Sequence, residues 1–215
     1  MKIAVFGSGD VGQTIGTKLV SLGHEVQLAG REAKNEKTEK WASENGKGAS
    51  AGAYKDAAAF ADVVFLCVAG SGAVPAVEAA GAALDGKVVV DITNPLDFSK
   101  GFPPSLTVGN TDSLAETIPR AAPKARVVKT LNTVNCKLMV DAKSLAAGES
   151  TMFLCGNDAA AKEQVLGSFL QPFGWTDVID LGALDNARAV EAYVTLWARL
   201  YGFVKTPTFN IKVVR

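Results

Sequence analysis

The sequence predicts an α/β fold with a mainly parallel sheet, and three observations carry that prediction. Short apolar runs rich in β-branched residues recur along the chain, as in Lys2–Phe6, Val63–Val68 and Lys87–Ile92. Stretches with apolar residues at helical spacing separate them. A glycine-rich turn follows the first run at once and opens the first helical stretch. Strands that alternate with helices belong in one sheet, covered on both faces. With 215 residues, 48% of them hydrophobic and 20% charged, the chain can bury a substantial core.

Lys2–Phe6 reads as a buried parallel strand. Val11, Ile15, Leu19 and Leu22 predict an amphipathic helix over 11–22, which Gly23 stops in a left-handed cap. Glu25–Ala29 is a second strand, 32–45 a highly charged helix, and Ala49–Ala51 a weak third strand. Asp56 is expected to cap a short helix that runs to Ala61. Val63–Val68 and Lys87–Ile92 are buried strands with a helix near 74–84 between them. A loop rich in Pro and Gly spans 94–106, and Arg126–Leu131 is the next strand. The pattern then changes to a strand at Thr151–Cys155, a helix over 159–170 and a strand at Asp177–Leu181. A long helix follows over 185–203, with Val190, Tyr193, Val194, Trp197, Leu200 and Tyr201 on one face. Phe209–Val214 alternates like a last strand. Residues 1–138 are accordingly expected to form one domain, and 139–215 a small C-terminal α/β domain.

Gly7-Ser8-Gly9-Asp10-Val11-Gly12 has the form G-x-G-x-x-G. It follows a predicted strand and opens a predicted helix, the context that marks a Rossmann dinucleotide site. Gly7 permits the tight turn, Gly9 lets the backbone approach a pyrophosphate, and Gly12 permits close packing of the helix. The free N–H groups of the helix start then face the anion. Gly16, one turn on, is explained by close helix–sheet packing. A cofactor with a free ribose 2′-hydroxyl meets an Asp or Glu about 20 residues later. Here the second strand ends in Gly30-Arg31, so the carboxylate is missing and a guanidinium stands ready for a 2′-phosphate. Lys34 adds charge from the next turn. The expected cofactor is NADP(H).

With those motifs in view, together with Asp91-Ile92-Thr93-Asn94-Pro95-Leu96, Val128-Lys129-Thr130-Leu131-Asn132-Thr133 and Leu184-Asp185-Asn186-Ala187-Arg188, the chain resembles a known family. That family is the NADP oxidoreductases dependent on factor 420, the 8-hydroxy-5-deazaflavin coenzyme. Its relatives include the cytosolic domain of the six-transmembrane metalloreductases. The resemblance implies a doubly wound Rossmann domain with a small second domain, and a deazaflavin or flavin stacked on the nicotinamide as second redox partner. It implies Gly7 to Gly12 at the pyrophosphate, Gly30 and Arg31 at the 2′-phosphate, and Ala69 and Gly70 beside the adenosine half. Asn94 and Pro95 match positions near the nicotinamide, and Asn132, Thr133 and Val134 match the floor of the deazaflavin pocket. Characterised enzymes of archaeal type tend to carry His where Asn132 stands; Asn is closer to the metalloreductase-like branch.

The residues at the carboxyl ends of the predicted strands are polar but mostly not ionisable: Ser8, Asp10, Arg31, Ala69, Ser71, Asn94, Asn132 and Thr133. Hydride transfer between stacked heterocycles needs position and exclusion of water rather than a side-chain acid. Asp10 reads as a helix-terminus residue. His24, the single histidine, falls at the opposite end of the sheet, which argues against a histidine-based carbonyl reduction. Lys129 and Lys137 are the lysines near the cleft that could serve a dehydrogenase acting on a small carbonyl or imine. A non-catalytic NADPH sensor is the third reading. Arg188 and Glu191 are spaced to pair on the last helix, and Phe98, Phe102 and Pro103-Pro104 could form a lid. Twenty-two basic residues balance 22 acidic ones, so the overall charge favours neither nucleic acid nor an anionic membrane. No apolar run reaches bilayer length and no signal-peptide pattern follows Met1-Lys2, so a cytoplasmic protein is expected. Cys67, Cys136 and Cys155 form no CxxC and are expected to be free thiols, with Cys136 alone near the cleft. No metal site is expected, and the expected assembly is a homodimer.

Overall fold

The computed structural model describes residues 1–215. In chain order it comprises β1 (Lys2–Phe6), α1 (Asp10–Ser21), β2 (Glu25–Gly30), α2 (Glu36–Asn45), β3 (Ala49–Ala53), α3 (Tyr54–Phe60), β4 (Val63–Leu66), α4 (Ala73–Ala80) and β5 (Val88–Asp91). There follow β6 (Leu96–Asp97), β7 (Ser105–Leu106), α5 (Leu114–Ala121), β8 (Arg126–Thr130), α6 (Cys136–Val140), β9 (Thr151–Gly156), α7 (Ala159–Val165), β10 (Asp177–Asp180) and α8 (Ala187–Val204). Eight strands form one sheet in the order β10-β9-β8-β5-β4-β1-β2-β3. The run β3-β2-β1-β4-β5-β8 is the doubly wound dinucleotide-binding order, and every pairing within it is parallel. Strand β9 lies antiparallel to β8, and β10 parallel to β9, so residues beyond 138 extend the same sheet.

The alternation of β1 shows how the layers are built. Ile3 and Val5 enter one apolar cluster with Leu19, Trp41 and Trp175, while Ala4 and Phe6 enter a second with Val77, Leu84 and Ile118. Both faces of the strand are therefore buried, as the unbroken apolar run requires. No helix is long and apolar enough to cross a membrane.

Several elements differ from expectation for identifiable reasons. The helix expected over 32–45 begins only at Glu36, because Asn35 caps it with its Oδ1 accepting from the Lys37 and Thr38 N–H groups. Asp56 is not a cap: Ala53 holds that position and Asp56 lies inside the first turn of α3. Gly16 serves α2 rather than the sheet, since a Cβ there would lie 2.7 Å from the Trp41 ring. The 94–106 loop contains the antiparallel pair β6–β7. Residues 209–214 form no strand. Strand β9 is flanked on both sides by β8 and β10, so the tail is held from the strand ends instead, by Thr151 through Asn210, Ile211 and Val213 and by Asp177 through Lys212 and Arg215.

Candidate functional site

The parallel strands all end on one side, where the loops after β1, β2, β4, β5 and β8 meet. Gly7 leaves β1 with φ 122°, and a Cβ there would lie 2.6 Å from the Cys67 carbonyl oxygen. A Cβ at Gly12 would run into the Gly7 carbonyl oxygen, so the turn itself requires both glycines. Gly9 differs, since a Cβ there would meet nothing within 4 Å. No side chain caps α1, whose amino terminus thus keeps free backbone donors facing that open space. Ser8 accepts from Gln13 Nε2 through its carbonyl, and Asp10 is exposed as the first residue of the helix.

Two concavities flank the turn. One, of about 380 Å³, is lined by Arg31, Tyr54, Ala69, Ser71 and Pro75 among others. Gly30 lies behind it against Asn35, and the exposed Lys34 is not part of its wall. The other, of about 470 Å³, is lined by Val11, Ala69, Gly70, Ile92, Asn94, Asn132, Thr133, Val134, Val194 and Trp197, with Phe98 at its edge. Val68, Ala69 and Ser71 border both, so the two form one groove along the sheet ends. None of the 19 residues lining the larger cavity is Asp, Glu, His, Lys or Arg. Pro95 is buried behind this wall, its carbonyl accepting from the Thr107 N–H.

A pair of asparagines shapes the floor. Asn94 Nδ2 donates to the Asn132 carbonyl at 2.9 Å, and Asn132 Nδ2 donates to Asn94 Oδ1 at 2.9 Å and to the Val190 carbonyl at 3.0 Å. The Asn132 amide nitrogen therefore ties two loops and α8 together. Leu131 just before it has φ 62°, which turns the chain sharply out of β8.

Beneath this floor lies a buried ionic cluster. Lys129 is fully buried, its Nζ 2.9 Å from Asp91 Oδ2, 2.9 Å from Glu191 Oε1 and 2.5 Å from the Thr93 carbonyl. Burial depresses the ammonium, but attraction to Asp91 and Glu191 outweighs it and holds its pKa above the ordinary lysine value. The Leu114 and Ala115 N–H groups at the start of α5 donate to the Glu191 carboxylate, and the Thr93 N–H and hydroxyl to that of Asp91. Lys129 is thus consumed by structure and cannot act as a cleft acid. The expected Arg188–Glu191 pair is corrected by the same geometry: Arg188 binds Glu116 of α5 through two nitrogens at 2.6 and 2.9 Å.

His24 sits beside the amino terminus of Met1, at the far end of the sheet. Burial and the neighbouring N-terminal charge hold its pKa below the usual histidine value. All three cysteines are free thiols. Cys136 lines the cavity, but Cys67 does too, which corrects the expectation of a single cleft thiol. Burial, with Asp91 nearby, pushes the Cys67 thiol well up, and burial pushes Cys155 up to about 12. Phe98 is 57% exposed; Phe102 packs edge-on to Tyr201, which in turn stacks on Trp197.

Residues 2–95 match the family model described as NADP oxidoreductase, coenzyme F420-dependent. A solved structure from Arthrobacter sp. FB24, provisionally described as an F420-dependent NADP-reductase, superposes with a TM-score of 0.94. It is 46% identical, and the alignment covers 100% of each chain. The chain belongs to the F420-dependent NADP oxidoreductase family. It is similar to the F420-dependent NADP reductase of Methanocaldococcus jannaschii, with 29% identity over 91% of this chain and 90% of that one. It is also 28% identical to metalloreductase STEAP3 of Rattus norvegicus, over 96% of this chain, and spans 38% of that protein's length. This family member is an NADP-dependent oxidoreductase, and its fold is the Rossmann-type α/β sheet that the glycine motif predicts. Reading the sequence alone leaves Tyr54 out of the site. The signal for it was present: Tyr54 directly follows β3, the strand beside the one that ends in Gly30-Arg31.

Proposed function

We propose that this family member passes a hydride between NADPH and a deazaflavin coenzyme that stacks over the nicotinamide in the 470 Å³ cavity. The observation that carries the proposal is the absence of any carboxylate, imidazole, ammonium or guanidinium from the cavity wall. Reduction of a carbonyl or imine needs a proton donor in reach of the substrate. Of the two nearby lysines, Lys129 is committed to Asp91 and Glu191, and Lys137 is exposed and not part of the cavity wall. NADPH supplies the hydride when bound, and the protein's part is to position and to exclude water.

The residues present fit the dinucleotide. The open space at Gly9 and the uncapped start of α1 suit a pyrophosphate, with Gly7, Ser8, Asp10, Val11 and Gly12 forming the turn around it. Arg31, with Gly30 behind it, is assigned to the 2′-phosphate, Lys34 adds charge only from outside the pocket wall, and Ala69 and Gly70 are assigned beside the adenosine half. Asn94 and Pro95 are assigned to the nicotinamide side, and Asn132, Thr133 and Val134 to the floor beneath the second ring. In this reading Asn132 acts by fixing the floor, its amide nitrogen being spent on Asn94 and Val190. Three free thiols suit a reducing, cytoplasmic setting. The apolar residues exposed along α8, Leu196 and Phe203 among them, support a homodimer, which sedimentation at two protein concentrations tests.

Mixing the protein with NADPH and, separately, the 8-hydroxy-5-deazaflavin coenzyme, FAD, FMN, and small ketones with amines tests the reaction. Loss of the 340 nm absorbance of NADPH with the deazaflavin alone is the expected result. Turnover with a ketone or imine and none with the deazaflavin overturns the proposal.

A further inference from the structure

The smaller concavity holds a polar group that the glycine and arginine motifs leave unexplained. Strands β2 and β3 are parallel, and Gly30 is in register with Ala53. The next residue of each chain is therefore Arg31 and Tyr54, which leave the sheet side by side and both line the 380 Å³ pocket. Tyr54 is only 8% exposed, and its ring is anchored on Phe6 with centroids 4.8 Å apart. Its hydroxyl makes no hydrogen bond within the protein, yet it is not among the sealed, unpartnered polar atoms, which are those of Gln27, Tyr193, Trp197 and Asn210. A ring fixed by packing thus presents a free hydroxyl to the pocket beside a guanidinium. Burial raises the phenol pKa and the Arg31 charge opposes that rise; the net value lies above that of an ordinary tyrosine, so the group is a hydrogen-bond donor at neutral pH.

We infer that Tyr54 is a specificity-determining residue for the cofactor, its hydroxyl donating to the same phosphate monoester that Arg31 receives. The inference rests on the reading of Arg31 as the 2′-phosphate ligand. It adds a neutral donor that a cofactor lacking that phosphate would leave unused. Arginine supplies the charge, while the immobile phenol supplies a fixed direction at little cost in side-chain entropy.

Calorimetry with adenosine 2′,5′-bisphosphate and with 5′-AMP reads this subsite without any nicotinamide or hydride acceptor. Tyr54→Phe keeps the ring and its contact with Phe6 and removes the hydroxyl alone. The bisphosphate should bind about tenfold more weakly to Tyr54→Phe, as for loss of one hydrogen bond to a charged group, while 5′-AMP affinity stays unchanged. Arg31→Ala serves as the reference. If it weakens the bisphosphate and Tyr54→Phe does not, the role of Tyr54 is overturned while the Arg31 assignment stands. If neither variant changes the ratio of the two affinities, the Arg31 assignment falls and this inference with it. Equal weakening of both ligands by Tyr54→Phe also overturns it, since the hydroxyl would then serve the adenosine and not the phosphate. The ratio of affinities remains readable even where a variant lowers thermal stability.

Discussion

Lys129→Met removes the one cation from the buried cluster at a similar side-chain length. Breaking a buried ion pair by deleting one partner costs about 3–5 kcal/mol, because a charge is left behind uncompensated. The structure places the expected loss toward the lower end of that range. Asp91 retains two donors from Thr93, and Glu191 retains the Leu114 and Ala115 N–H groups. What disappears is the ammonium itself and its contact with the Thr93 carbonyl. For a chain of this size each kcal/mol moves the melting temperature by about 2–4 °C, so a fall of roughly 6–12 °C is expected at pH 7. The effect should be complete there. The folded pKa of Lys129 is raised, so its contribution is fully present below about pH 10.4, the unfolded value, and fades only as pH climbs through the higher folded one. Adding Glu191→Gln to Lys129→Met should recover part of the loss, since it removes an unpaired charge while an amide oxygen still accepts from α5. Urea unfolding of the three proteins measures both quantities. A single variant within 1 kcal/mol of the parent, or a double variant weaker than the single one, would refute the account of the cluster.

Other outcomes follow from the same geometry. Gly9→Val adds a side chain whose Cβ meets no protein atom within 4 Å, so melting should change little while NADPH affinity falls at least about 100-fold, roughly 2.7 kcal/mol; unchanged affinity in calorimetry removes the turn from the site. Asn132→Leu leaves Asn94 Oδ1 and the Val190 carbonyl without their donor, which predicts a loss of about 1–3 kcal/mol together with reduced turnover; a variant of parental stability contradicts the floor role. The hydrogen bonds from Arg188 hold the Glu116 carboxyl below the usual range against the opposing effect of burial. Its contribution is therefore present above about pH 4.3 and lost as pH falls through the lower folded value. The melting difference between parent and Glu116→Gln should shrink on acidification from pH 7 to below 4; a difference independent of pH excludes this pairing as its source. Cys136, half-buried at the cavity wall, should be alkylated faster than Cys67 or Cys155 and be protected by NADPH; peptide mass mapping reads the order.

The first half of the sheet was legible because its signals are local. Gly7 and Gly12 specify the turn, and Gly23 ends α1 with φ 84°, as a left-handed cap requires. Helix α5 was missed, although Ser113 and Glu116 form the S-x-x-E capping pattern that marks a helix start: the Ser113 Oγ accepts from the Glu116 N–H, and its hydroxyl donates to the Glu116 carboxylate. Pro119 inside the helix masks that signal. The ionic cluster could not be read at all. Asp91, Lys129 and Glu191 are far apart in the chain, and a lone charge in an apolar strand does not reveal its partner. The site was legible where backbone geometry dictates residue type, as at Gly7 and Gly12. It was not legible where register brings side chains together, as for Arg31 and Tyr54.

Glu191 also bears on how the chain is made. A ribosome delivers β5, β8 and α5 well before the last helix, and early segments begin to fold as they emerge. Until residue 191 follows, Lys129 has only Asp91 as counter-charge and the first turn of α5 has no carboxylate for Leu114 and Ala115. The Val190 carbonyl that Asn132 Nδ2 reaches arrives at the same moment. The nascent protein can therefore complete its glycine turn early, while the far wall of the groove, which includes Val194 and Trp197, closes only with the final helix.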